Sequence, residues 1–321
     1  MVSQRGRIFR NVLRLTFSLN PYKTKDPITR LRTASNPAIN DSVPEGFTLA
    51  KEKTPKGTKY DRVLKVGDKR KDRVILYLHG GAYVAGLLST YREFAGDYYE
   101  ATGGCELIML DYELAPENVY PSQLNEAYDL WCDIVDNQGY KPENIVIAGD
   151  SAGANLTLAL MLKLRDMGRE LPKAGVCMSL WGDMTCSGDS YTENYSRDVL
   201  FGRKGVFTKE QIDAEKESLL NCPVFSWFGD ADRKDPYISP VFADFSGFPP
   251  MFFTVGEDEI LLSDTLAVSE KLKALNIYSE VEVGDGMFHA YPMFRKIVPE
   301  GKESFERVAD FIAKVYKGEI S

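Results

Sequence analysis

Apolar and β-branched residues fall in short unbroken runs along this chain, separated by stretches with helical spacing. Arg73-Val74-Ile75-Leu76-Tyr77-Leu78, Glu106-Leu107-Ile108-Met109-Leu110, Asn144-Ile145-Val146-Ile147-Ala148, Gly175-Val176-Cys177-Met178-Ser179-Leu180 and Met251-Phe252-Phe253-Thr254-Val255 each read as a buried strand, and Ser279 to Val283 as the last one. Continuous runs need cover on both faces. Helices predicted over Arg92 to Ala101, Pro121 to Asp136, Ala154 to Leu162, Ser263 to Leu275 and Lys302 to Tyr316 supply it. Residues 46–71 alternate enough for one or two early antiparallel strands. This alternation of strand and helix predicts an α/β protein, with a mostly parallel twisted sheet and helices on both faces.

The rhythm breaks in two places. Residues 1–45 form a helical leader punctuated by Pro21, Pro27, Pro37 and Pro44. Residues 184–222 are polar, charged and aromatic, with helical spacing from Thr208 to Leu220, and read as an insertion. The expected organisation is a cap segment at 1–45, a core at 46–183, a cap insertion at 184–222 and the rest of the core at 223–321.

Composition narrows the function. The chain has 321 residues, enough for one such domain with a cap. Its 39 basic and 47 acidic residues give a net charge of −8, which argues against nucleic-acid binding. No apolar run reaches transmembrane length. The leader runs against the overall balance, with Arg5, Arg7, Arg10, Arg14, Lys23, Lys25, Arg30 and Arg32 opposed only by Asp26. Arg10 and Arg14 interrupt any hydrophobic centre, so a signal peptide is not expected. From Arg7 to Leu19, Ile8, Phe9, Val12, Leu13 and Leu15 fall largely on one helical face. The expectation is a helix folded over the protein's own body, with a membrane-surface helix as the alternative. Five cysteines, an odd number without a C-x-x-C pair or a His/Cys cluster, read as reduced cytoplasmic thiols and not as a metal site.

The candidate chemistry sits at strand ends. Gly149-Asp150-Ser151-Ala152-Gly153 follows one apolar run and precedes a helical one. A serine on such a turn has its hydroxyl lifted clear of the sheet, and the flanking glycines permit the strained backbone. The helix N-terminus aims N–H groups at charge developing beside it. A serine hydroxyl needs a base, and the chain has two histidines. His79 opens His79-Gly80-Gly81-Ala82-Tyr83, and His289 stands just past the last strand; both follow strand C-terminal ends, where open α/β sheets build sites. His79-Gly80-Gly81 suits an oxyanion hole, because small residues let main-chain N–H groups approach a substrate.

Four blocks carry a family resemblance: His79-Gly80-Gly81-Ala82, Asp111-Tyr112-Glu113-Leu114-Ala115-Pro116-Glu117, the serine turn, and Asp235-Pro236-Tyr237-Ile238-Ser239-Pro240. Over roughly residues 45–315 the chain resembles the bacterial hormone-sensitive-lipase-like esterases of the α/β-hydrolase fold. The resemblance implies Ser151 as nucleophile and His289 as general base, with oxyanion donors from the N–H groups of Gly81, Ala82 and Ala152. Ala82 stands where a third glycine is usual, and Glu113 where an arginine is usual. The acid lies in Gly256-Glu257-Asp258-Glu259-Ile260-Leu261-Leu262-Ser263-Asp264. Placing Glu259-Ile260-Leu261 on the family's acid block keeps its leucine and its spacing to His289, which makes Glu259 the first choice and Asp258 the second. Asp264 is expected to serve as a first-turn helix charge, and Asp150 as a structural hydrogen-bonding residue. Tyr83, Trp181 and Phe201 are pocket candidates, with Tyr191, Tyr195 and Phe207 either lining the pocket or filling the cap.

The expected activity is metal-free hydrolysis of short- to medium-chain carboxylic esters through an acyl-enzyme, without a cofactor. The partner is a small-molecule ester, and a homodimer is left open. Amide or formamide hydrolysis and sugar-ester deacetylation on the same machinery are the alternatives. A non-catalytic ligand receptor, as in the similar plant gibberellin receptors, is the remote one.

Overall fold

The apolar runs form the middle of an eight-stranded sheet in the order β1-β2-β4-β3-β5-β6-β7-β8. The computed structural model describes residues 2–17, 25–35, 40–68 and 72–321, so Leu19, Pro21, Lys23 and Pro37 lie outside the described residues. The strands are β1 (Phe47–Lys53), β2 (Lys59–Lys65), β3 (Val74–Leu78), β4 (Glu106–Leu110), β5 (Ile145–Asp150), β6 (Ala174–Met178), β7 (Met251–Gly256) and β8 (Ser279–Gly284). β1 and β2 run antiparallel at one edge; β4 through β8 pair in parallel. β3 to β7 are buried along their whole length, as their unbroken runs require.

Successive side chains point to opposite faces, and two clusters follow from that alternation. Leu76, Ile108, Ile147 and Phe253 face α5 (Ser122–Cys132), α6 (Ala152–Asp166) and α9 (Leu262–Ala274). Ile75, Met109, Val146 and Phe252 face α4 (Phe94–Thr102) and α10 (Pro299–Lys317). α3 (Ser89–Arg92) is a single turn before α4. The helix predicted over Pro121 to Asp136 stops at Cys132 and continues as a wider π-turn over Asp133–Asn137.

The leader supplies α1 (Gln4–Phe17) and α2 (Pro27–Ser35). The apolar face expected for α1 is split. Phe9 turns inward onto Phe288 and Phe294 and Leu13 packs against the same cluster, whereas Ile8 and Val12 are exposed. The inner face is chosen by Arg10 and Arg14 as much as by hydrophobicity. Arg10 reaches Asp258 and the carbonyl of Gly286, and Arg14 reaches the carbonyls of Ser196 and Arg197. The insertion carries α7 (Ser190–Glu193) and α8 (Lys209–Leu220), the latter started by a capping box between Thr208 and Gln211. No helix among the described residues is long and apolar enough to cross a membrane.

The serine turn fits only because Gly153 has no side chain. A Cβ there would lie 1.9 Å from the Leu78 carbonyl oxygen at the end of β3. We expect Gly153→Ala to lower the unfolding free energy by about 3 kcal/mol, the upper end of overpacking costs, as read by urea denaturation.

Candidate active site

Five non-glycine residues with positive φ stand at or beside the C-terminal ends of the parallel strands: Ala82, Tyr83, Ser151, Ser179 and Ala290. Such strain clusters where a fold holds functional groups in place. Ser151, with φ 55°, joins β5 to α6, and its N–H donates to the carbonyl of Met178 on β6. α6 begins at Ala152, so its first N–H groups lack intrahelical acceptors.

The loop after β3 curls beside this turn. Gly81 has φ 112°, and its carbonyl accepts from the N–H groups of Val84 and Ala85, which closes the loop on itself. The N–H groups of Gly81 and Ala82 have no acceptor among the described residues. Gly80 must be glycine, because a Cβ would lie 2.3 Å from the Asp150 carboxylate. That carboxylate accepts from the N–H of Gly80 and from the hydroxyls of Tyr77 and Tyr91. Burial pushes the Asp150 pKa up to about 6, against the pull of those donors.

His289 lies beyond β8 and is buried. Its Nδ1 is 2.9 Å from Oε2 of Glu259. Glu259 is fully buried, and its Oε1 accepts from the Ser179 hydroxyl at 2.7 Å and from the N–H of Gly256. Ser179 Oγ in turn accepts the N–H of Ala290 at 2.8 Å, so one hydroxyl joins the carboxylate to the histidine loop. Burial opposes a charged imidazole at His289, but the Glu259 hydrogen bond and charge outweigh it, with Asp198 and Asp150 adding to them. The His289 pKa is therefore raised. Asp258 does not face His289. It is an ion-pair centre for Arg10, at 2.8 Å, and Arg197.

His79 is a different histidine. Its ring stacks on Tyr112 at 4.1 Å, and Nδ1 donates to the carbonyl of Gly80 at 2.7 Å. Burial lowers its pKa to about 4, with the Gly80 bond opposing. It is neutral at pH 7 and braces the loop that bears Gly81.

A cavity opens beside Ser151, with Ala82, Trp181, Phe201, Ile260 and Leu261 among its lining residues. The insertion contributes Met184, Cys186, Tyr191, Leu219 and Leu220 as well. One expectation is corrected. Tyr83 is not part of the lining; its ring packs on Trp227 at 4.0 Å and its hydroxyl donates to Asn155, because positive φ turns it under the loop. Tyr195 and Phe207 pack on each other, so of the insertion aromatics only Tyr191 and Phe201 reach the cavity. Asp264 is more than a helix-end charge: it accepts from the N–H groups of Gly182 and Asp183 and from the Tyr191 hydroxyl, and burial drives its pKa well up. Glu113, where arginine is usual, pairs with Lys59 at 2.8 Å. Sequence reading passed over Ser179, Asn194 and Asp198. Ser179 alone had a signal, its place at a strand's C-terminal end. No group of residues among those described could hold a metal ion.

Residues 75–293 match the family model of the α/β-hydrolase fold. An esterase of Acinetobacter venetianus is 33% identical over 239 residues, 74% of this chain and 74% of that protein. An acetyl-hydrolase of Streptomyces hygroscopicus is 30% identical over 240 residues, 75% of each. The crystal structure of an esterase from the bacterial hormone-sensitive lipase family superposes with a TM-score of 0.80 at 30% identity, covering 98% of this chain and 99% of that one. The chain belongs to the α/β-hydrolase family, among its bacterial hormone-sensitive-lipase-like carboxylesterases.

The buried neutral His79 makes stability depend on pH. Its folded pKa lies below the ordinary 6.5, so the unfolded chain takes up the proton first as pH falls. The contribution is present above pH 6.5 and is lost between 6.5 and 4. At pH 5 the wild type should have lost about 2 kcal/mol relative to His79→Asn, compared with pH 7. Urea unfolding of both proteins at the two pH values measures this; a constant gap rules it out.

Proposed function

We propose that this protein hydrolyses short- to medium-chain carboxylic esters through an acyl-enzyme, with Ser151 as nucleophile, His289 as general base and then acid, and Glu259 orienting the imidazole. The observation that carries the reading is the Glu259 to His289 Nδ1 contact at 2.9 Å, behind an apolar cavity lined in part by Ser151. With Nδ1–H held by the carboxylate, Nε2 is the free base. It takes the Ser151 proton as the hydroxyl attacks the ester carbonyl. The N–H groups of Gly81, Ala82 and Ala152 stabilise the tetrahedral oxyanion. His289 then protonates the leaving alcohol, and a water activated by the same nitrogen releases the acid. Only neutral His289 accepts the proton, so the step fades as pH falls through its raised pKa.

The apolar walls suit an acyl chain. A solved esterase similar to this chain (TM-score 0.82, 30% identity) was soaked with p-nitrophenyl butyrate, and the Streptomyces hygroscopicus relative is an acetyl-hydrolase; both names fit this substrate class. The odd number of cysteines, four of the five buried, favours a reducing cytoplasmic setting.

Ser151→Ala should lower turnover of p-nitrophenyl butyrate by several orders of magnitude while the protein stays folded by circular dichroism. A serine-directed fluorophosphonate should add mass to the peptide containing Ser151, and turnover retained in the variant would end the serine-hydrolase reading.

Glu259→Gln should lose about 10⁴-fold in kcat, because the imidazole loses its tautomer and its ion pair. Asp258→Asn, which breaks contacts to Arg10 and Arg197, should lose less than about tenfold. The reverse ranking at one pH with one ester would move the acid to Asp258.

A further inference from the structure

One carboxylate joins the insertion to the turn that carries Glu259. Asp198 is 2% exposed. Its Oδ1 accepts the N–H groups of Leu200 at 2.8 Å and Phe201 at 2.9 Å, and its Oδ2 accepts the N–H of Ile260 at 2.9 Å. The first two bonds curl the chain around its own side chain; the third crosses to the core. Phe201 and Ile260 both line the cavity beside Ser151, from opposite sides of that seam. The Phe201 ring centroid lies 5.0 Å from that of His289, and Ile260 directly follows Glu259.

The surroundings keep Asp198 where it is. Asn194 Nδ2 donates to the carbonyls of Glu257 at 2.9 Å and Glu259 at 2.8 Å, and the Asn194 carbonyl accepts the Asp198 N–H at 2.8 Å. The loop closes where the Arg203 N–H meets the Tyr195 carbonyl, and Gly202 allows it, since a Cβ there would lie 1.8 Å from that oxygen. Burial raises the Asp198 pKa against its three backbone donors, which is a desolvation cost to the carboxylate. A neutral turn residue would close the same loop without that cost. What the carboxylate adds is two acceptor oxygens facing two different segments.

We propose that Asp198 is a specificity-determining residue: by pinning Phe201 and Ile260 across the seam, it sets the width of the acyl pocket. The inference rests on the ester-hydrolase reading above. Asparagine at this place has one acceptor oxygen, so either Ile260 or the Leu200–Phe201 pair meets an NH₂ group instead. Alanine frees both sides, and the Phe201 ring then yields to a longer acyl chain.

The test is the ratio of kcat/KM for p-nitrophenyl octanoate to that for p-nitrophenyl acetate. It is measured in the wild type, Asp198→Asn, Asp198→Ala, Phe201→Ala and the Asp198→Ala/Phe201→Ala double variant, with thermal unfolding as the fold control. Asp198→Ala and Phe201→Ala should each raise the ratio about tenfold, the scale on which a pocket wall discriminates chain length. The double variant should add little to either, because both act through one ring. Asp198→Asn should fall between and carries the comparison if the alanine variant does not fold. A ratio unchanged in Asp198→Asn or in Phe201→Ala overturns the proposal, as does an equal loss on both esters or full additivity in the double variant. Wild-type enzyme that turns over neither ester would fail the underlying reading, a result distinct from an active enzyme with an unmoved ratio.

Discussion

The site depends on a close approach between the turn after β5 and the end of β3. The Leu78 carbonyl oxygen sits where a Gly153 Cβ would be, and a Gly149 Cβ would meet both that oxygen and the Gly153 carbonyl. Two missing side chains let α6 start against the neighbouring strand. That contact brings the Ser151 turn beside the loop of Gly80, Gly81 and Ala82, which leaves β3 one residue later. Gly80 repeats the constraint against Asp150. The backbone strain at Ser151 and Ser179 is offset by strands buried along their whole length, and it lies at the ends of β5 and β6, where main-chain groups leave the sheet.

Two histidines in one fold acquire opposite properties from their neighbours. His289 has the Glu259 carboxylate against Nδ1, with Asp198 and Asp150 also favouring its charge, and its pKa rises. His79 has a tyrosine ring on its face and a carbonyl at Nδ1, and burial pulls its pKa down to about 4. The same imidazole thus suits proton transfer in one place and bracing in the other. Ser179 extends the first arrangement, since a single hydroxyl serves the Glu259 carboxylate and the Ala290 N–H.

Three arginines of the basic leader find partners within the protein. Arg10 meets Asp258, Arg14 meets two insertion carbonyls, and Arg32 meets Glu117 and the carbonyls of Val84 and Ala115. The guanidinium fork suits this, because it donates to several oxygens in fixed directions. Asp258, next to Glu259, takes Arg10 from the leader on one oxygen and Arg197 from the insertion on the other. Both outer segments therefore lean on the turn that holds Glu259.

The sequence by itself determined what depends on local chemistry. Unbroken apolar runs gave β3 to β7 nearly to the residue, since a strand buried on both faces has no solvent-facing position to blur it. Glycine spacing gave the serine turn and the loop after β3, because only glycine tolerates those approaches. The α/β-hydrolase family followed from those blocks. Tertiary structure alone decided which neighbour a side chain meets. Glu259 and Asp258 are adjacent in sequence, and only the fold turns one toward His289 and the other toward Arg10. Tyr83 reads as a pocket residue until its backbone turns it onto Trp227. Ile8 and Phe9 are both apolar, yet α1 half-buries Phe9 and exposes Ile8, because Arg10 and Arg14 find partners on Phe9's side. Asp198 gave no signal at all: its three donors are backbone N–H groups, one of them far along the chain, and a backbone donor leaves no trace in the identity of the residue that carries it.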